Sequence, residues 1–138
     1  MSEKRLIVAI ACGGAVGSMA RYGLSLLSLS AVPGWFFAGT LAANIAGSAL
    51  IGLIAAWSVR RMPSPILNGF LVTGFCGGFT TFSAFSLEAL LLVMSGAWAV
   101  ALGYVVASIL SWMAAVWLGW SAGMALFGAK GSVAHTKS

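Results

Sequence analysis

From Gly74 to Ser86 the chain reads GFCGGFTTFSAFS, where hydroxyls follow paired glycines inside an otherwise apolar stretch. Gly74, Gly77 and Gly78 weaken a helix, and Thr80, Thr81, Ser83 and Ser86 bring hydroxyls among apolar neighbours. Small residues also let helices approach one another. Gly13–Gly17, Gly74–Gly78 and Gly119–Gly123 all have the small-xxx-small spacing that serves this purpose. Adjacent glycines followed by two threonines predict more than packing at Gly77–Gly78: an interruption of the helix. At membrane depth, broken backbone persists only where protein buries it or it lines a cavity. Such a break frees carbonyls able to hold a cation and leaves a half-helix N-terminus that favours an anion.

Other polar groups within apolar stretches are few. Asn44 offers two amide donors to an anion, or an ordinary interhelical hydrogen bond. Arg21 lies toward the far end of the first apolar segment, where its stem can snorkel to an interface. Glu88 is the one carboxylate inside an apolar segment, and an intramembrane ionisable residue is a functional candidate by default. Tyr104, Ser108 and Ser111 stand at i, i+4 and i+7, which makes one hydroxyl-bearing helical stripe. Phe82 and Phe85 are i, i+3 and share a face if helix resumes after the break; ring edges carry partial positive charge, so they are candidates for a pore wall.

The elements that must position these groups follow from composition. Of 138 residues, 61% are hydrophobic and 7% charged, whereas a water-exposed domain carries roughly 25% charged residues. Lipid is the expected solvent, and the fold class is an all-α membrane protein. Four spans are expected at about 6–29, 35–58, 66–94 and 98–127, making a single four-span domain over 1–128 with a polar tail at 129–138. A secretory signal peptide is disfavoured, because Leu6 to Leu29 exceeds the length of a signal h-region and further spans follow. Pro33–Gly34, the proline-bearing run Arg60 to Pro65, and Ser95–Gly96 mark the connections. Trp35, Trp57 and Trp98 fall near span ends, where indoles favour the interface. As one helix, Ile66 to Met94 would be about 43 Å long against a hydrocarbon core of ~30 Å.

Lys4, Arg5, Arg60, Arg61, Lys130 and Lys137 all fall on one side of a four-span topology, and the seventh basic residue, Arg21, lies within a span. The positive-inside rule puts both termini in the cytoplasm and the chain in the cell membrane. No basic face interleaved with aromatics exists, which sets nucleic-acid binding aside. Cys12 and Cys76 read as small packing residues, and His135 as a solvated tail side chain. No histidine, serine–base pair or metal-ligand cluster can be assembled within the spans, so an enzyme is not expected.

Three motifs carry a resemblance along nearly the whole chain: GGAVGSMARY from Gly13 to Tyr22, GTLAANIAGSALIG from Gly39 to Gly52, and GFCGGFTTFSAFSLE from Gly74 to Glu88. In this order the chain resembles the CrcB/Fluc family of fluoride channels. The resemblance implies an antiparallel dimer with fluoride pores along the subunit interface. It implies a third span broken at its middle, with a structural, non-transported sodium ion on the backbone carbonyls of Gly77 and Thr80. Phe82 and Phe85 then match the pore phenylalanines and Asn44 the pore asparagine. Ser83, Tyr104 and Ser108 match a polar track, and Arg21 and Glu88 are vestibule or structural charges. Ala84 and Trp112 depart from the family pattern, which often has threonine at the first position and a small or hydroxyl residue at the second; Ser111 is a substitute for the second.

The resemblance leaves open a homodimer or a heterodimer with an oppositely oriented homologue. The one-sided charge favours the latter, and the commoner family arrangement the former. A small proton-coupled multidrug-type exporter is the rival by size, but the first span lacks the carboxylate such exporters need. A non-transporting accessory subunit would leave the glycine–threonine break without a purpose.

Overall fold

The computed structural model describes residues 3–31 and 37–128. Pro33–Gly34, Trp35 and the tail from residue 129, including Lys130, His135 and Lys137, lie outside the described residues. The described chain is helical nearly throughout. Helix α1 spans Glu3–Ala31 and α2 spans Ala38–Arg61. The third segment opens as α3 (Pro65–Asn68), continues as a π-helical stretch (Gly69–Cys76) and closes with the short α4 (Gly77–Phe79). After an interruption, α5 spans Phe82–Met94, and α6 spans Trp98–Gly128. Four segments are long and apolar enough to cross a membrane: Glu3–Ala31, Ala38–Arg61, Pro65–Met94 and Trp98–Gly128.

The ends of these elements follow local chemistry. Arg60 and Arg61 occupy the last turn of α2, where cations complement the helix dipole. Met62 then turns left-handed (φ 46°) and donates its N–H to the Ser58 carbonyl. Pro65 starts α3 at a position needing no N–H, and the Ser64 hydroxyl caps it by accepting from the Leu67 amide. Gly96 ends α5 with φ +79°. Its N–H reaches Val93 O at 3.0 Å, while Ala97 N–H reaches Leu92 O at 2.9 Å, the paired bonds of a Schellman turn.

Packing is inverted relative to a water-soluble bundle. The buried apolar positions are mostly small, among them Ala43, Ala56, Cys76, Ala101 and Ala115. Large side chains such as Ile7, Met19, Leu110 and Trp117 point outward. Cys76 packs as expected, whereas Cys12 is exposed. Two close pairings dominate: α2 with α6, and α1 with the π-helical stretch. Gly119 lies against the Ala49 backbone, and Gly13 and Gly17 lie against the Phe70 and Phe75 carbonyls. Gly69 packs on Leu6 and Ile10, and Gly128 lies beside Arg60. The start of α1, the end of α2, the start of the third segment and the end of α6 therefore share one end of the bundle. Lys4, Arg5, Arg60 and Arg61 gather at that end.

The interruption lies at Thr80–Thr81, which corrects the expectation of a break at Gly77–Gly78. Gly77 keeps helical angles (φ −64°, ψ −34°). Thr80 (φ −83°, ψ 154°) and Thr81 (φ −149°, ψ 122°) are extended. The glycines serve close approach instead: a Cβ on Gly78 would collide with the Gly14 carbonyl. Helical backbone is cheap to keep there and a side chain is not.

A branched side chain on the α1 seam should be costly. Gly17→Val is expected to lower stability by about 1–3 kcal/mol or more, read as an earlier thermal unfolding transition in detergent. Gly103→Ala, facing open space within 4 Å, is expected to leave the transition where it is.

Candidate functional site

The extended pair Thr80–Thr81 presents backbone groups that no helix satisfies, and Asn44 of α2 meets them. Its Nδ2 donates to Thr81 O at 2.9 Å, and its Oδ1 accepts from Thr81 N–H at 2.7 Å. The asparagine is buried, so one side-chain amide replaces both main-chain partners that Thr81 lost. The Thr81 hydroxyl then starts α5 by accepting from the Ala84 amide at 3.2 Å. On the other side, Thr80 closes α4 with its N–H and hydroxyl both donated to Cys76 O, each at 2.9 Å.

The end of α4 is held from α1. Arg21 Nε donates to Gly78 O at 3.2 Å, and the Ser18 hydroxyl points to the same carbonyl at 3.5 Å. The guanidinium is turned inward, which corrects the expectation of a snorkelling side chain. A carbonyl facing the bundle is a better partner than a distant interface, and a cation complements a helix C-terminus.

A second network ties α2, α5 and α6 together. Glu88 accepts from the Thr40 hydroxyl at 2.6 Å and from the Tyr104 hydroxyl at 2.7 Å. Thr40 and Tyr104 are both buried. Above the carboxylate lies an aromatic cluster: Phe85 meets Tyr104 at 5.3 Å, Trp112 edge-on at 4.9 Å and 73°, and Phe82 at 5.5 Å.

Their i, i+3 spacing predicted one shared face for Phe82 and Phe85; the rings touch, but only Phe82 faces outward. Phe85 is 5% exposed and Phe82 72% exposed, because Tyr104 and Trp112 fill the space around Phe85. A cleft of about 210 Å³ opens beside Phe82, lined also by Asn44, Thr80, Thr81 and Trp112. Ser83 is exposed, with its hydroxyl 3.2 Å from that of Thr81. On α6 the stripe of hydroxyls divides. Tyr104 is engaged by Glu88, and Ser111 donates to its own helix at Ser108 O, 2.9 Å away. Ser108 Oγ and Trp112 Nε1 are buried with no hydrogen-bond partner among the described residues, an arrangement that costs about 1–3 kcal/mol per group when nothing offsets it.

The oxygens expected to hold a cation are the Gly77 and Thr80 carbonyls, and the structure shows where the amides that would cover them go. In a continuous helix the amides of Thr81 and Ala84 would cap them, but those amides are drawn to Asn44 Oδ1 and Thr81 Oγ1. Freed carbonyls of this kind replace an ion's hydration shell. Among the described residues no group of His, Cys, Asp and Glu is placed to hold a metal.

The model of the family described as CrcB-like protein, Camphor Resistance, matches residues 8–120. The chain belongs to the CrcB-like family. It is similar to the fluoride-specific ion channel FluC of Gloeobacter violaceus, 46% identical over 121 residues, or 86% of this chain and 96% of that protein. The FluC of Paracoccus denitrificans is 47% identical over 124 residues, covering 90% of this chain and 98% of the relative. That of Agrobacterium fabrum is 45% identical over 122 residues, with 88% and 98% covered. These relatives are named as ion channels and not as enzymes. With four spanning-capable helices, the CrcB-like chain is a multi-pass membrane protein.

Thr40 went unnoticed in the sequence, although it stands four residues before Asn44 and so shares its helical face. Ser18 precedes Arg21 by three residues and so shares its helical face. The capping role of Thr81 was also hidden, since a threonine after glycines reads as a hydroxyl before it reads as a helix start.

Asn44→Ala should strand both main-chain groups of Thr81 at a cost of about 1–3 kcal/mol. Hydrogen–deuterium exchange at the Thr81 amide is expected to quicken about tenfold or more in that variant, with exchange in mid-α6 unchanged.

Proposed function

We propose that this CrcB-like chain is one subunit of a fluoride-specific channel that lets fluoride leave the cell passively and so relieves its toxicity. The observation that carries the reading is the interruption at Thr80–Thr81. It opens beside an exposed phenylalanine and a cleft lined by Asn44, in a chain close to half identical to proteins named fluoride-specific. In this reading the interruption lies at mid-membrane. Two subunits inserted in opposite senses bring their Phe82 faces together, and the pores run along the contact.

The chemistry suits a small, strongly hydrated anion. Its water must be replaced by close donors, while the width of the path excludes larger halides. Asn44 retains one amide hydrogen beyond the one it gives Thr81. Ser83 and Ser108 add hydroxyls, Tyr104, whose own proton goes to Glu88, backs that track, and Phe82 and Phe85 add ring edges. Each contact is weak enough to release the ion as well as admit it. Arg21 and Glu88 act here as structural charges, one fastening α4 and the other joining three helices.

A structural sodium ion would be held by the carbonyls of Gly77 and Thr80 from both subunits. When bound, it would supply positive charge beside the C-terminal end of α4. The gathering of Lys4, Arg5, Arg60 and Arg61 at one end of the bundle favours a heterodimer with an oppositely biased homologue, since that asymmetry selects one orientation. A homodimer in which assembly captures the minority orientation is the other form of the same reading.

Purified protein in liposomes should release fluoride, but not chloride, without a proton gradient; a proton-coupled exporter would need the gradient. Phe82→Ile and Phe85→Ile should each lower the flux about tenfold while the dimer persists on size-exclusion chromatography. Asn44→Asp should conduct less than Asn44→Ala, because a negative acceptor replaces donors on an anion path. Flux from the chain expressed alone supports the homodimer, and flux appearing only with a co-expressed homologue supports the heterodimer.

Replacing sodium throughout purification should lower the melting temperature of the assembly, because a cation that binds only the assembled state stabilises it by mass action. An unchanged melting curve removes the ion from the scheme.

A further inference from the structure

The cations at the basic end of the bundle outnumber the anions that could answer them. Lys4, Arg5, Arg60 and Arg61 gather there, and the chain has two carboxylate side chains, Glu3 and Glu88. Glu88 is engaged in the opposite half of the bundle, by hydroxyls near the starts of α2 and α6. Glu3 precedes Lys4, but at about 100° per residue it points about 140° away from Val8, which lies beneath Lys4. Residues 129–138 add Lys130 and Lys137 and no carboxylate side chain. A second copy inserted in the opposite sense carries its own Glu3 at the far face of the membrane. The counter-charge must come from outside the protein.

A cleft of about 330 Å³ lies at the start of α1, lined by Lys4, Arg5, Val8 and Ala9. Val8 and Ala9 stand at i+4 from Lys4 and Arg5, so each cation has an apolar residue one turn deeper on its own face. Side chains on a helix lean toward its N-terminus, which here carries both cationic heads outward from the apolar core. Below the cleft the face continues through Val8, Cys12, Ala15 and Met19, all exposed. From Val8 to Met19 is ~16 Å at ~1.5 Å per residue, close to half of a ~30 Å hydrocarbon core. Gly13 and Gly17, on the other side of α1, hold the third segment.

We propose that this cleft binds an anionic phospholipid, with its phosphate between Lys4 and Arg5 and one acyl chain along Val8, Cys12, Ala15 and Met19. Charge and then hydrocarbon, in order of depth, is the order of the lipid's own parts. Lys4 gives the phosphate a point charge, and Arg5 a planar fork of donors. A zwitterionic lipid offers the same phosphate but brings its own cation against these two, so the site favours a lipid of net negative charge. Arg60 and Arg61 share the end but not the cleft; Arg60 lies beside Gly128 at the close of α6. The proposal needs only the four-span membrane fold and stands apart from the fluoride reading.

The test uses the full chain purified in detergent, where the direction of insertion plays no part, and counts bound lipid by native mass spectrometry. Offered equal amounts of phosphatidylglycerol and phosphatidylcholine, the wild type is expected to retain the former about tenfold or more in preference, at about fivefold for each cation. Lys4→Gln with Arg5→Gln should abolish that preference, and Lys4→Arg with Arg5→Lys should keep it. Arg60→Gln with Arg61→Gln should leave most of it. Equal retention of the two lipids by the wild type overturns the proposal. An equal loss from both neutralised pairs also overturns it, since diffuse charge would then suffice. Displacement of phosphatidylglycerol by millimolar inorganic phosphate overturns the lipid as occupant, and lipid bound to monomer but excluded from dimer assigns the face to a second copy instead. Should the double variant aggregate, Arg5→Gln alone, expected to lose about fivefold, decides in its place.

Discussion

Two hydrogen bonds between a side-chain amide and one residue's backbone hold the centre of this molecule together. An extended residue in the middle of an apolar helix exposes an N–H and a C=O, and lipid offers neither a partner. Asn44 supplies both, at 2.7 and 2.9 Å, in the manner of a neighbouring strand. No shorter or purely apolar side chain can do so, and a carboxylate can serve only the donor. The rest of the local architecture follows from that pairing. With Thr81 fixed, its hydroxyl is free to cap α5, and the carbonyls of Gly77 and Thr80 lose the amides that would have covered them. The polarity of the site is thus a consequence of how the break is paid for.

Around that centre, polar residues act as fasteners between helices. Arg21 and Ser18 bind α1 to the end of α4, and Glu88 gathers hydroxyls from α2 and α6. Where backbones touch, glycine and alanine supply the fit. This division of labour suits a protein whose surroundings are as apolar as its own side chains: close contact and hydrogen bonds must do what the hydrophobic effect does in water.

Much of this was legible in the sequence, for reasons that also explain what was not. Long apolar runs and turn residues such as Ser95–Gly96 are local signals, and they delimit the helices well. The small-xxx-small spacings likewise report local shape, and Gly13, Gly17, Gly74 and Gly78 meet in one seam. The position of the break is not a local property. Glycine propensity pointed to Gly77–Gly78, but a partner on another helix, Asn44, selects Thr81. Spacing gave Phe82 and Phe85 one common face, yet Tyr104 and Trp112, on α6, enclose Phe85 and leave Phe82 outward. The depth of Arg21 in its span suggested a snorkelling side chain, whereas a carbonyl on α4 decides where it points. Each miss concerns a contact between segments far apart in sequence.

The π-helical stretch from Gly69 to Cys76 carries a consequence of phase. An α-helix turns the chain by about 100° per residue, and a wider winding changes which way every later residue faces. The turn at Gly69–Cys76 therefore sets the angular position of Thr80 and Thr81 before they leave the helix. A deletion of one residue there could restore regular winding and a stable helix, and would swing the threonines away from Asn44. The irregular winding works as a dial, tuning a polar break to meet a single amide across the bundle. Among sequences of this shape, the length from Pro65 to Thr81 should tolerate change far less than the connections between helices do.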